Sequence, residues 1–138
     1  MPYARPGLVI GAQIAILACG PTGPTTLTKV PNGVWGGDHA GLTVSDTSAA
    51  IEFDCAHGTL DEPPAVDRNG SFEVSGIFVR EHGGPIRVDE VPDEQPARYA
   101  GTTNGRTMSL TVTLTTSSQP LGPFALALGQ PGRLVKCL

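Results

Sequence analysis

The sequence predicts an all-β protein: seven or eight short antiparallel strands that form a small barrel or a sandwich. Three observations predict this class. Apolar and polar residues alternate with a period of two in several segments, as in strands with one buried face. Gly and Pro, 18 and 13 of the 138 residues, are spread between those segments as turn formers. Beyond Ala18, no long window has apolar residues at helical spacing without Gly or Pro.

The first 18 residues are predicted to be an export signal and not part of the fold. Residues 7–18 (GLVIGAQIAILA) form an apolar run that is too short for a spanning helix and follows a lone positive charge at Arg5. The run ends Ile16-Leu17-Ala18-Cys19, which resembles the lipobox of bacterial lipoproteins. The resemblance implies cleavage before Cys19 and a diacylglycerol on its sulfur. An ordinary secretory signal cut elsewhere, or a wrongly assigned start, is the alternative.

Residues 19–31 are predicted to be a lipidated Cys19 and a flexible tether, because PTGPTTLTKVP is rich in Pro and Thr and has no periodicity. We expect the folded domain at residues 32–138, held on the periplasmic or surface side of a membrane by its N-terminal lipid. Gly20, not Asp, follows the cysteine, which permits an outer-membrane destination. The net charge of −4 without a basic cluster argues against nucleic-acid binding. We expect a monomer.

Lipidation of Cys19 leaves Cys55 and Cys137 as an even pair in an oxidising compartment. We predict a disulfide between these two residues. It would close a loop of about 80 residues and contribute about 4 kcal/mol on the chain-entropy model. It would also tie the last strand to an early one. Two buried free thiols, or two metal ligands, are the alternative.

Residues 32–44 (NGVWGGDHAGLTV) contain the only Trp and begin the fold. Trp35 is the largest side chain on which a barrel of this sequence can close. Trp35 and Leu42 have opposite parity, so one straight strand cannot bury both. We therefore predict a bulge or bend at one of three glycines, Gly36, Gly37 or Gly41.

The later segments alternate clearly, and two Asn-Gly pairs mark turns. Asn104-Gly105 is the stronger hairpin signal, and it joins residues 97–103 to residues 106–116. Asn69-Gly70 precedes another strand. The predicted inward positions are Ile51, Phe53, Cys55, Phe72, Val74, Gly76, Phe78, Met108, Leu110, Val112, Leu114, Phe124, Leu126 and Leu128. If Cys137 points inward from a last strand, so do Val135 and Arg133.

Gly33-Val34-Trp35 places a G-x-W at the first strand, and Arg133 lies near the end of the last. This combination resembles the calycin superfamily (lipocalins, fatty-acid-binding proteins and avidins), in which such a Trp closes one barrel end against an Arg from near the C-terminus. The resemblance implies an up-and-down barrel in preference to the alternative sandwich. The patterns GVWGGDHAGLTV, IEFDCAHG, REHGGP and LVKCL also resemble a family of small uncharacterised bacterial exported proteins, which supplies no activity.

Three histidines are the candidates for chemistry, because each lies near a strand end with glycine beside it and an acid within three residues. The candidate ligand-binding residues are Trp35, Asp38, His39, His57, Glu81, His82 and Arg133. His39, His57 and His82 from three strand ends could form a zinc-like site. No pair has a metal-ligand spacing such as H-x-H, so we predict no metal and no cofactor. Half-exposed histidines that bond loop backbone are the alternative to a site.

Two loops are acidic and stiffened by proline: residues 83–96 (GGPIRVDEVPDEQP) and residues 61–64 (DEPP). Long loops on a β scaffold often carry recognition. If both loops lie at one barrel end, they form an acidic rim that could meet a basic protein. Charge for solubility is the alternative.

Three functions follow from these features. The first is an exported, lipid-anchored binding module for an unknown ligand, held in a cavity bounded by Trp35, Phe53, Phe72 and Phe78. The second is a protein-interaction or hydrolase-inhibitor module that acts through the acidic loops. The third is a small metal-dependent enzyme that uses the three histidines. We rank binding above catalysis, because no motif such as G-x-S-x-G supports a catalytic residue.

Overall fold

The computed structural model describes residues 3, 7 and 26–138. The predicted signal peptide, apart from Tyr3 and Gly7, and the predicted lipidation site at Cys19 lie outside the described residues. Within the described part of the chain, no helix is long and apolar enough to cross a membrane.

Eight antiparallel strands close into a barrel in which each strand pairs with the next and β8 returns to β1. The prediction of a small up-and-down barrel is therefore confirmed, in preference to the sandwich. The strands are β1 Gly33–Gly37, β2 Ala40–Val44, β3 Ala49–Phe53, β4 Ala56–Leu60, β5 Ser71–Arg80, β6 Asp93–Thr103, β7 Thr107–Leu114 and β8 Gln119–Leu128.

The β6–β7 hairpin shows how alternation and turn chemistry specify the barrel. Gly105 has a positive φ of 92°, which glycine adopts without strain. The Asn104 side chain accepts hydrogen bonds from the backbone N–H groups of Arg106 and Thr107. With this register, every second residue of β7 points inward and is buried: Met108, Leu110, Val112 and Leu114. The predicted hairpin and the inward face of β7 are both confirmed.

The predicted bulge in residues 32–44 is wrong, because the chain reverses there. Asp38 and His39 form a two-residue turn between β1 and β2, and His39 has a positive φ of 71°. Trp35 pairs directly with Leu42 across this hairpin, so both are buried on the same face. A chain reversal exchanges the inward-facing and outward-facing positions, as a bulge does. The alternation of side chains alone therefore could not distinguish the two. The turn places Asp38 and His39 at one end of the barrel.

The barrel interior is filled by side chains in one continuous core. Trp35 and Tyr99 are fully buried, and Trp35 Nε1 donates to the carbonyl of Pro31 at 2.9 Å. The expected central cavity bounded by Trp35, Phe53, Phe72 and Phe78 is therefore wrong, since all four side chains are at most 5% exposed and belong to this core.

Two buried glycines make room for Tyr99. A Cβ on Gly58 would collide with the Tyr99 hydroxyl, and a Cβ on Gly76 would lie 3.0 Å from its ring. The hydroxyl donates to the carbonyl of Ile77 at 2.6 Å, and burial raises the pKa of Tyr99. The ring thus crosses the core as a neutral hydrogen-bonded group.

Antiparallel topology gives the barrel two distinct ends. We call the end with the turns after β1, β3, β5 and β7 the upper end, and the opposite one the lower end. Residues 26–31 lie at the lower end, where Val30 is fully buried and its N–H donates to the carbonyl of Pro64. Lys29 also bridges to Ala65. The sequence placed these residues in the flexible tether, but from Leu27 onward they pack on the barrel.

Residues 129–138 form what we call the strap, which leaves β8 at Gly129 (φ 83°) and runs up the outer wall to the upper end. The Arg133 N–H donates to the Gly37 carbonyl, and the Arg133 carbonyl accepts from the His39 N–H. Cys137 then forms the predicted disulfide with Cys55, 82 positions earlier. The expected last strand is wrong: the strap is not a strand, and Arg133, Val135 and Cys137 are exposed.

Candidate functional site

The upper end brings together all the predicted candidate residues except Trp35, which is buried in the core. Turns and strand ends that converge there carry them: Asp38, His39, His57, Glu81, His82 and Arg133. None of the three histidines is buried, and each pairs with a different carboxylate. The prediction from strand-end position thus located one end of the barrel.

The β1–β2 turn is held by two ion pairs. His39 Nδ1 donates to Asp54 Oδ2 at 2.7 Å, and Arg133 Nε donates to Asp38 Oδ1 at 2.6 Å. The Arg133 hydrogen bond lowers the pKa of Asp38. The backbone N–H of Val135, followed by His39, lowers the pKa of Asp54. These groups are exposed, so the pairs fix geometry more than they stabilise the fold.

Lys136 is the centre of a larger charge network. Its Nζ donates to Glu52 Oε2 at 2.6 Å, to Glu81 Oε2 at 3.1 Å and to the carbonyl of Ala56 at 3.3 Å. His57 Nδ1 donates to the other oxygen of Glu81 at 2.9 Å. Burial alone would raise the pKa of Glu81, but the hydrogen bonds from His57 and Lys136 outweigh it and lower the pKa. The network joins the strap to β3, β4 and the end of β5.

His82 braces the loop of residues 81–92, which connects β5 to β6. Its Nδ1 donates to the carbonyl of Gly83 at 2.8 Å, and its Nε2 donates to Glu90. Both ring nitrogens therefore act as donors, which requires the imidazolium form. The Gly83 carbonyl and Glu90 raise the pKa of His82, and His82 in turn lowers the pKa of Glu90.

The same loop carries three apolar side chains that project into solvent: Ile86, Val88 and Val91 are 82, 108 and 86% exposed. The loop is shorter than predicted, because the acidic stretch from Asp93 to Pro96 belongs to β6, where Asp93 pairs with Arg80. The expected single acidic rim is also wrong. Residues 61–64 follow β4 and lie toward the lower end, whereas the 81–92 loop follows β5 at the upper end.

Two depressions lie at the upper end. One of about 260 Å³ lies beneath the 81–92 loop and is lined in part by Val79, Ile86, Val91, Pro92, His57 and Glu90. The other, of about 290 Å³, opens at the barrel mouth above Phe53, Phe78 and Phe124, with His39 and Asp54 beside it. The Phe53 ring centroid lies 5.5 Å from that of Phe78 and 5.2 Å from that of Phe124.

The candidate metal site has no support in this arrangement. Among residues 26–138, no three or more His, Cys, Asp and Glu side chains are placed to hold a metal ion. His39, His57 and His82 each face their own acid and do not converge on a common point, so the arrangement provides ion pairs and not a ligand set.

Sequence reasoning missed Asp54, Lys136, Glu90 and the exposed apolar residues of the loop. The sequence did contain a signal for Lys136. Lys136 precedes Cys137, and the predicted disulfide would bring Cys137 beside Cys55 and therefore beside the acidic side chain of β3. No comparable signal exists for Glu90, since its contact with His82 depends on the path of an irregular loop.

Comparisons of this chain with protein-family models, with curated protein sequences and with solved structures find no match.

Proposed function

We propose that this chain is an exported, lipid-anchored binding module whose binding surface is the upper end of the barrel. The proposal rests on where two parts of the chain lie. The residues nearest the predicted lipid anchor lie at one end of the barrel, and the candidate binding residues lie at the other. Residues 26–31, which follow the lipobox-like Cys19 in sequence, lie at the lower end of the barrel, where Leu27 and Val30 pack. The candidate residues and the exposed loop lie at the other end.

Anchoring through Cys19 orients the molecule in this proposal. A lipid at the N-terminal side would hold the lower end toward the membrane, and the upper end would then face away from it and be accessible to a partner. The Cys55–Cys137 disulfide is consistent with export, because such bonds persist in oxidising compartments.

The filled core favours binding on the surface over binding inside the barrel. Eight-stranded barrels have interiors just wide enough for side chains or for one small ligand, and here side chains occupy the centre. The second candidate function is binding of a small apolar ligand at the mouth. It is favoured by the depression above Phe53, Phe78 and Phe124, whose floor is formed by aromatic rings.

One experiment in the native bacterium tests orientation and anchoring together. A photo-crosslinking residue is placed at Val88 on the upper end or at Ala65, an exposed position on the lower end, in the wild-type chain and in Cys19→Ser. We expect defined protein crosslinks from position 88 only, and membrane association with palmitate labelling that Cys19→Ser abolishes.

The two halves of this result are separable. Crosslinks from position 65 alone, or equally from both positions, would contradict an upper-end surface. Unchanged membrane association of Cys19→Ser would contradict the lipid anchor and leave the binding surface unaffected.

A further inference from the structure

The 81–92 loop concentrates exposed apolar surface at the upper end. Ile86, Val88 and Val91 lie within six positions of one another and are almost fully exposed. Single exposed apolar side chains are ordinary, but neighbouring ones rimmed by polar groups mark interaction sites. We propose, building on the binding module proposed above, that this loop docks a protein segment that carries both basic and apolar side chains.

Charge complementarity selects the basic character of the partner. Asp89, Asp93 and Glu94 are exposed beside the apolar residues, and no salt bridge within the described residues 26–138 involves them. Asp93 Oδ1 accepts one long hydrogen bond from Gln95 Nε2 at 3.4 Å, so these carboxylates keep most of their hydrogen-bonding capacity for a partner. Arg87 is the one Lys or Arg of the 81–92 loop, so carboxylates outnumber strong cations there. Lys and Arg side chains of a partner would gain charge-assisted hydrogen bonds with them, and an acidic partner would be disfavoured.

Internal contacts hold the loop in shape before any partner arrives. Glu90 accepts from His82 and, at 3.1 Å, from the N–H of Arg87, while the Glu90 N–H donates to the Arg87 carbonyl. At the start of β6, Asp93 pairs with Arg80 in the β5–β6 ladder. A preformed loop loses less conformational entropy on binding, so more of the contact energy remains as affinity.

The depression beneath the loop supplies an anchor point. Val79 and Pro92 form apolar walls, and Glu90 lies at its edge. Its volume of about 260 Å³ is below the range of roughly 300–1,000 Å³ typical of small-molecule sites. It suits a single side chain of a partner, and well-packed anchors of this kind dominate interface energetics.

A lipid surface is a poorer occupant for the same loop. Anionic headgroups would be repelled by Asp89, Asp93 and Glu94. In the proposed orientation, the loop also faces away from the anchoring membrane. A protein segment with basic and apolar side chains complements both the apolar and the acidic features of the loop.

Selection of peptides from a random library displayed on phage tests the inference on the purified full-length protein. We expect enriched sequences that combine Lys or Arg with apolar residues, and binding that weakens as salt rises. Ile86→Ser with Val88→Ser should weaken the selected peptides by about tenfold or more, as truncation of interface anchors does. Val135→Ser, which alters an exposed valine on the strap, is the matched control and should bind normally.

Charge is tested with a second matched pair of variants. Asp89→Asn with Glu94→Gln should weaken the peptides and flatten the salt dependence. Asp61→Asn with Glu62→Gln removes the same charge from the acidic stretch that follows β4 and should change neither. Circular dichroism checks that each variant keeps the fold.

Several outcomes would overturn the inference. They are no enrichment over the starting library, enriched peptides that are neutral or acidic, and equal loss of binding in the loop variant and in Val135→Ser. Loss of peptide binding only in His39→Asn would place the binding surface at the barrel mouth and would not contradict the proposed binding module. Loss of peptide binding only in the Asp61 and Glu62 variant would contradict both proposals. Loop-dependent binding to phosphatidylcholine vesicles without peptide enrichment would replace the protein partner by a membrane.

Discussion

The two ends of the barrel are closed by different means. At the lower end, turns are closed by hydrogen bonds between close neighbours: the Asp67 carboxylate accepts from the N–H groups of Asn69 and Ser71, and Asn104 caps its own turn. At the upper end, the closing contacts join residues far apart in sequence. Lys136 and Glu52 are separated by 84 positions, and Arg133 and Asp38 by 95.

The turns of the lower end thus depend on local conformation, although residues 26–31 also pack there against distant residues, whereas the upper end depends chiefly on long-range contacts. Hydrogen bonds between neighbouring residues of a turn need only local conformation, and they do not oxidise. The upper end relies on a disulfide and on several ion pairs, so its order should respond to redox conditions, and more strongly to pH than the order of the lower end.

Loss of the disulfide should have the largest effect. Cys55→Ser with Cys137→Ser removes a cross-link over 82 positions, and we expect the free energy of unfolding to fall by about 4 kcal/mol, measured in urea. Native-state hydrogen exchange should show faster exchange at the Glu81 amide, which bonds the Cys55 carbonyl. At the lower end, the protection of the Thr107 amide against exchange should fall only by the amount that the loss of global stability requires. A loss below about 1 kcal/mol would contradict the role of the strap.

Removal of a turn cap at the lower end should have a smaller effect that is independent of redox state. Asn104→Ala deletes the acceptor of the Arg106 and Thr107 N–H groups, at 2.9 and 2.8 Å. We expect a loss of about 1 kcal/mol in urea unfolding, the same with and without reductant. Asn69→Ala is the control, because only the backbone of Asn69 is hydrogen-bonded in its turn. Equal losses in both variants would show that the cap contributes nothing specific.

The smallest effect is the pH response of the 81–92 loop. The pKa of His82 is raised above its usual 6.5, so its contribution is complete below that value and lost as pH rises through the raised pKa. The pKa of Glu90 is lowered from 4.5, so its contribution is complete above that value and lost as pH falls through the lowered pKa. The brace is therefore complete between about pH 4.5 and 6.5.

Hydrogen exchange of the loop amides, corrected for the intrinsic pH dependence, measures this response. Protection at Glu90 should fall as pH rises above the window, and His82→Gln should remove the dependence. His39→Gln, at the other exposed histidine of the upper end, should leave it unchanged. A loop whose protection ignores His82 would show that the ion pair does not brace it.

The sequence was sufficient for the barrel because strand alternation and turn chemistry are local. The inward face of β7 and the Asn104-Gly105 hairpin follow from a dozen residues, and the cysteine pairing follows from counting. The β1–β2 reversal was missed because Asp38-His39 is an unusual turn pair: a non-glycine residue at positive φ is stabilised by its backbone bond to Arg133, far along the chain.

The candidate site could be predicted only in part, because it depends on contacts between residues far apart in sequence. Histidines near strand ends with adjacent glycine located the upper end, since barrel topology brings alternate strand ends together. Their actual partners were not predictable, because Asp54, Glu81 and Glu90 are selected by the path of the strap and of an irregular loop. Side-chain exposure in that loop likewise depends on tertiary contacts that no local pattern encodes.

The contact of the strap with the outer wall of β1 changes how variation in this chain should be interpreted. A Cβ on Gly36 would collide with the backbone of Pro131 and Gly132, and one on Gly41 would lie 3.3 Å from Gly132. A saturation-mutagenesis map would therefore show intolerance at these wall positions that has nothing to do with a ligand. These glycines near Trp35 leave room for the strap, which is a different part of the chain. A position in the strap and the glycine that it contacts should therefore show similar tolerance to substitution.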